Sequence, residues 1–185
     1  MDRGAPAEAG ARLPTFTTER LQLRPRAEQD LPDLEAMDAE PAVMRFIADG
    51  RPPEPIAHRQ ELLQRIHQDF GTGLGIWSVF PREAPQEFLG WVCLIPLPGH
   101  DDIELGYRFR SAAWGRGYAF EASRALVPYA FDALALPRLV AVIHPENARS
   151  LRLIARLGFA DAGWREAYGK RLRIFTLARE TASVA

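Results

Sequence analysis

The chain of 185 residues has one cysteine, Cys93, and only four histidines. A single thiol cannot close an internal disulfide, and no Cys or His cluster has the spacing of a zinc or iron–sulfur site. Long apolar runs are missing as well: none approaches the roughly 20 residues of a membrane span. The opening MDRGAPAEAGARLP mixes charge with small residues and lacks the apolar stretch of a signal peptide. Nor does one sign of charge prevail. With 23 Lys and Arg against 24 Asp and Glu, the formal net charge is -1, so no long-range field draws the chain to nucleic acid or an anionic membrane. The expectation is a cytoplasmic globular protein with no metal, nucleic-acid or membrane partner.

What is there suits one core: 47% of the residues are hydrophobic. Residues 1–15, rich in Ala, Gly and Pro, read as a flexible tail, 16–180 as a single domain and 181–185 as a C-terminal tail. ERLQLRPR alternates as a half-buried strand stopped by Pro25. Leu31, Leu34 and Met37 recur at helical spacing, with Pro32 in the first turn. PAVMRFIADG reads as a short helix or turn, and Leu62, Ile66 and Phe70 mark a longer helix. After Gly75 the period changes to that of strands: IWSVF, EFLGWVCLIPL and IELGYRF form a meander. A helix over 117–132 follows, with Pro128 predicting a kink or early stop, because proline cannot donate to Arg124. RLVAVIH is a buried strand, ENARSLRLIARLG a helix ended by Gly158, and RLRIFTLA a closing strand. The fold class is α/β with a mixed sheet.

The stretch WGRGYAFEA joins a strand to a helix through Gly115, Arg116 and Gly117. The first N–H groups of a helix have no internal partner, and the helix dipole adds positive charge there. Glycines let an anion approach that backbone closely. The amides from Trp114 to Ala119, through Tyr118, are therefore aimed at a diphosphate; a solvent-facing turn is the plainer alternative. No Gly-x-x-x-x-Gly-Lys-Ser/Thr or Gly-x-Gly-x-x-Gly is present, which sets aside the P-loop and the dinucleotide fold.

TERLQLRP at 18–25, FLGWV at 88–92, IELGYRF at 103–109, WGRGYAFEA at 114–122 and HPENARSLRLIARLGF at 144–159 occur in this order. The set closely resembles the GNAT superfamily of acetyl-CoA-dependent N-acetyltransferases, and within it the ribosomal-protein N-terminal acetyltransferase branch. The resemblance covers about residues 17–179. It implies a mostly antiparallel sheet splayed between strands 103–109 and 138–144, with acetyl-CoA lying in the gap. The pantetheine arm would pair with the backbone of Tyr107, Arg108 and Phe109, and the pyrophosphate would take the amides near 115–119. The family's pyrophosphate pattern opens with Gln or Arg, where this chain has Trp114. Transfer would be direct, in a ternary complex.

Such a reaction needs a neutral amine, a polarised carbonyl and a stabilised leaving thiolate. Glu104 is the candidate base; alternatively it faces solvent or pairs with Arg108. Ser150 is the candidate donor to the thiolate. Asn147 is a candidate for orienting the loop or binding the pantetheine amides, and fits equally as a helix N-cap. Cys93, within an apolar strand, reads as core. His144 ends a strand at the cleft, His58 and His67 read as surface residues, and His100 is a reserve base. The acceptor walls are placed at 41–51, 88–95 and a loop at 162–170, with Phe46, Trp91, Glu104 and Trp164 as contacts. Arg165, Lys170 and Arg171 in that loop favour an acceptor with a carboxylate nearby. Peptide and small-molecule amines both remain open, as do a homodimer and a non-catalytic acyl-CoA-binding domain.

Overall fold

In this computed structural model, residues 13–47, 51 and 53–179 are described. Eight strands make one sheet: β1 (Phe16–Thr17), β2 (Leu21–Pro25), β3 (Gly75–Pro81), β4 (Gly90–Pro96), β5 (Ile103–Phe109), β6 (Arg138–Ile143), β7 (Ala160–Ala167) and β8 (Lys170–Ala178). Their order is β1-β2-β3-β4-β5-β6-β8-β7. Every neighbouring pair is antiparallel except β5 and β6.

Alternation along the strands assigns the two faces. Leu21, Leu23, Trp77, Val79, Val92, Leu94, Leu105 and Phe109 enter one core. Ala122 and Leu126 of α4 (Tyr118–Pro128) and Ile154 of α5 (Ala148–Arg156) pack into it, each 0% exposed. Truncating a leucine so enclosed, such as Leu126, costs about 2–5 kcal/mol. The opposite face carries Ser78, Trp91, Cys93, Glu104 and Arg108. It is partly covered by α1 (Leu31–Asp38), α2 (Pro41–Met44) and α3 (Pro55–His67), whose Leu31, Leu34, Met37, Val43 and Leu62 share a second core with Phe80 and Phe88. The uncovered part of that face is the site.

Local chemistry sets the helix ends. Glu54 caps α3, accepting from Ile56 N at 3.2 Å and Ala57 N at 2.8 Å, which holds its carboxyl below the usual range. The helix stops at His67, where Gln68 turns extended, so Phe70 lies beyond it and packs beside Ile76, Cys93 and Ile95. Periodicity alone carried Phe70 too far. Asn147 caps α5, its Oδ1 accepting from Ser150 N at 3.2 Å. Gly158, at φ +88°, ends α5 in a Schellman turn, with Gly158 N to Ala155 O at 3.0 Å and Phe159 N to Ile154 O at 3.1 Å. At Pro128 the helix widens into a π turn over 129–133, so the expected interruption takes that form.

Two further expectations are revised. The loop placed at 162–170 is mostly β7, followed by the Tyr168–Gly169 turn into β8. Most of the expected N-terminal tail lies outside the described residues, but Pro14 O accepts from Trp77 Nε1 at 2.7 Å and Leu13 packs against Gly75. The C-terminal tail, 181–185, lies outside the described residues, as do positions 48–50 and 52. No helix among the described residues is long and apolar enough to cross a membrane.

Candidate active site

β5 and β6 meet at a single ladder position, Glu104 with Val140. On its other side β5 is paired with β4 along its whole length, from Ile103 with Pro96 to Phe109 with Gly90. From Leu105 onward the edge of β5 facing β6 thus has no strand partner among the described residues. An extended chain carrying amides can pair there. The two strands run parallel, and α4 follows β5 in the chain before β6 begins.

The N-terminus of α4 stands at this opening. Gly115 and Gly117 lie at φ +76° and +79°, left-handed values that L side chains rarely adopt. These glycines are thus required by the backbone turn itself, beyond the room they leave for an anion. Gly117 is the N-cap and offers no side chain to the helix. The amides from Gly115 to Ala119 meet no acceptor from the described residues, whereas Trp114 N is used by Ser111 O at 3.1 Å. Successive free amides around alternating glycines form an anion-binding concavity. Arg20 braces it from behind: Nη1 donates to Arg116 O at 2.9 Å, and Nε donates to Glu121 Oε2 at 2.7 Å. Burial pulls the Glu121 carboxyl up, but bonds from Thr18 and Arg20 outweigh it and hold the group below the usual carboxylate range.

A cleft of about 410 Å³ lies on the α1–α3 face of the sheet and reaches this gap. It brings together Glu104, Tyr107, Arg108, Asn147 and Ser150, and Phe46 and Trp91 line it as well. Glu104 is 8% exposed, and its Oε2 accepts a short hydrogen bond from the Tyr168 hydroxyl. Burial raises its pKa above the ordinary value, against the Tyr168 bond and the nearby Arg65 charge. A raised carboxyl is a better proton acceptor, and this one lies in a cleft beside parted strands.

Residues 20–160 match the acetyltransferase (GNAT) domain family. The chain belongs to that family. The GNAT domain is 33% identical over 156 residues to an FsC-acetyl coenzyme A-N(2)-transacetylase of Aspergillus fumigatus, an alignment covering 78% of this chain and 64% of that protein. It is 29% identical over 161 residues to an N-acetyltransferase, p20, of Bacillus licheniformis, covering 85% of this chain and 89% of the relative. Among solved structures, an acetyltransferase from Agrobacterium tumefaciens str. C58 superposes with a TM-score of 0.78 at 26% identity, covering 95% of this chain and 100% of that one. The mostly antiparallel sheet flanked by helices is thus the GNAT-like fold.

The GNAT domain uses several expected residues in ways the sequence did not disclose. Trp114, at the position where the resemblance leads one to expect a polar residue, is an anchor: Nε1 donates to Phe109 O at 2.9 Å, and Arg149 stands 4.6 Å over its ring. Arg108 does not pair with Glu104; its Nη1 donates to Asp38 Oδ1 at 2.7 Å. Asn147 spends Oδ1 on the cap, which leaves its amide nitrogen for a ligand. Ser150 lines the cleft, and its hydroxyl has no partner among the described residues; its carbonyl faces the Tyr107 hydroxyl at 3.4 Å. Burial pushes the Tyr107 phenol up to about 12. The Phe109 side chain is in the core, 4% exposed, so only its backbone is offered to a ligand. Phe46 stacks on His144 with ring centroids 5.1 Å apart.

Trp164 does not join the other expected acceptor contacts. As a residue of β7 it is 46% exposed, stands outside the cleft, and lies under Arg171 and Arg173. Of the three basic residues expected there, only Lys170 lines the cleft. His58 is a cleft residue rather than a surface one, with Nε2 3.0 Å from Asp38 Oδ2. His67 is exposed beside Glu28, and the His100 ring sits near Glu166 O at 3.3 Å, away from Glu104. Cys93 is 2% exposed, and burial above all, with Glu104 second, pushes its thiol up to about 12, which suits core rather than nucleophile. No group of His, Cys, Asp or Glu among the described residues could hold a metal ion.

Tyr168, Arg26 and Asp38 escaped sequence reasoning. Tyr168 sits at φ +53° in the β7–β8 turn, and AYGK marks only a turn. Its approach to Glu104 depends on β8 lying beside β6, which no local pattern records.

Proposed function

We propose that the protein transfers the acetyl group of acetyl-CoA to a primary amine, a protein N-terminus or a small molecule, by direct attack in a ternary complex. The carrying observation is the set of unanswered amides at Gly115–Ala119 beside two strands joined at one position. A diphosphate fits that concavity, and the free edge of β5 near Tyr107, Arg108 and Phe109 fits an amide-bearing arm. When bound, acetyl-CoA supplies the activated thioester. The chain's residues do the rest.

Glu104 takes the proton that the acceptor ammonium must lose to attack as a neutral amine, directly or through one water. Burial raises its basicity and Tyr168 holds its orientation. The Ser150 hydroxyl, free in the cleft at the start of α5, donates to the departing sulfur. Asn147 fixes that helix start and offers its amide nitrogen to the pantetheine arm. Phe46 and Trp91 wall the acceptor side. The kinship to the ribosomal-protein branch and a cytoplasmic location belong to the same proposal, the kinship supported by the WGRG turn and Ser150.

A thermal-shift titration with acetyl-CoA, followed by thiol release on adding amines, tests this reading. Stabilisation together with amine-dependent CoA release is expected. Binding without release from any amine would favour a non-catalytic acyl-CoA-binding domain.

A further inference from the structure

Two arginines stand in the cleft with more donors than the chain answers. On the sheet face that carries Glu104, Arg108 lies four residues further along β5, opposite Trp91 of β4. Arg26, just past β2, reaches the same ring, and the two guanidinium carbons are 5.1 and 5.2 Å from its centroid. The Arg108 Nη1 donates to Asp38 Oδ1 at 2.7 Å, while His58 Nε2 lies 3.0 Å from the other Asp38 oxygen. That carboxylate is already shared. Arg26 Nε and Nη2 and Arg108 Nε are covered and meet no acceptor. Burial above all, with the charges of Arg108 and Arg65 nearby, pushes Arg26 down to about 10. Unanswered donors on a covered cation are costly to keep, and a ligand that answers them gains accordingly.

We propose that Arg26 and Arg108, flanking Trp91, form a carboxylate subsite, so that the acceptor is an amine whose far end bears a carboxylate. The inference rests on the acetyl-transfer reading and names its substrate class. Arg26 Nη1 and Arg108 Nη2 are the guanidinium nitrogens neither covered nor bonded, so they are the ones an entering anion meets first. An arginine pair suits a carboxylate through forked, charge-assisted bonds. Glu104 and Arg108 are about 13 Å apart along the strand at its usual rise, so amine and carboxylate belong at opposite ends of a chain-like acceptor. A polyamine would instead lay a second positive charge against Arg26, Arg65 and Arg108. The acidic groups of the cleft do not cancel the subsite: Asp38 is paired, Glu104 holds the amine end, and Glu61 stands exposed on α3.

The test pairs acceptors of equal length: 4-aminobutyrate with butylamine, and 6-aminohexanoate with hexylamine, and adds spermidine, all read by thiol release. We expect the amino acids to exceed their alkylamine partners by about tenfold or more in kcat/KM. Arg26→Met should erase that preference through KM while leaving alkylamine turnover and acetyl-CoA affinity unchanged, and Arg26→Lys should restore part of it. Equal rates for the two series, or a preference for spermidine, would overturn the inference while leaving acetyl transfer standing. If no amine releases thiol, acetyl transfer fails instead, and the subsite is judged by binding to CoA-loaded protein. There 6-acetamidohexanoate should bind and N-hexylacetamide should not; equal affinities refute the subsite. The wild-type comparisons decide the matter even if Arg26→Met does not fold.

Discussion

Replacing Glu104 with glutamine probes the proposed base with little disturbance of the fold. Glutamine keeps the volume of a side chain that is 8% exposed and an oxygen to accept from the Tyr168 hydroxyl. It removes only the proton acceptor. Loss of a general base typically costs about 10²–10⁴-fold in rate, or about 2.7–5.4 kcal/mol at 1.36 kcal/mol per decade. The assay is thiol release against pH at saturating acetyl-CoA. The wild-type kcat/KM should rise with pH through a limb displaced above the ordinary carboxylate value, because burial raises the Glu104 pKa. The variant should lose both rate and limb, with acetyl-CoA affinity unchanged by calorimetry. Stability gives an independent check. A carboxyl whose folded pKa is raised stabilises the fold below its unfolded pKa, and that contribution is lost as pH rises through the folded value. Glu104→Gln should therefore melt higher than wild type at pH 8, the gain shrinking toward pH 4. Turnover within threefold of wild type on an unaltered pH limb would refute the assignment of Glu104 as base.

Gly117→Val places a branched side chain at φ +79°, with its Cβ 3.4 Å from Arg20 Nη2. The left-handed backbone alone costs about 1–2 kcal/mol, so acetyl-CoA should bind about tenfold or more weakly by calorimetry; equal affinity would argue against the cradle. Tyr168→Phe removes a bond that lowers the Glu104 pKa, so the kcat/KM limb should move to higher pH, and an unmoved limb would mean that Tyr168 does not act on Glu104. With its thiol pushed up to about 12 and 2% exposed, Cys93 should resist iodoacetamide at pH 8 in the native protein and react once unfolded; rapid native labelling would contradict the core placement.

How much of this was legible beforehand follows from what each feature depends on. The strands and helices, the stop at Gly158 and the interruption at Pro128 rest on neighbours within a turn or two, and one-dimensional spacing carries that information. The candidate anion cradle was legible as a local arrangement for the same reason: a strand, a Gly-Arg-Gly turn and a helix start are contiguous. Alternation in IELGYRF likewise put Glu104 and Arg108 on one face. The order of strands was decided elsewhere. Only with β8 inserted beside β6 does Tyr168 reach Glu104, while Trp164 is carried to an exposed position on β7. Asp38 captures Arg108 from 70 residues away, and Arg26 meets Trp91 across the intervening strand β3. Sequence alone thus determined most of the secondary structure, though not β7, and the Gly-Arg-Gly turn, because hydrogen bonding and periodicity there are local. Tertiary structure decided the partners of the charged groups, since desolvation and pairing depend on which distant segments close over them.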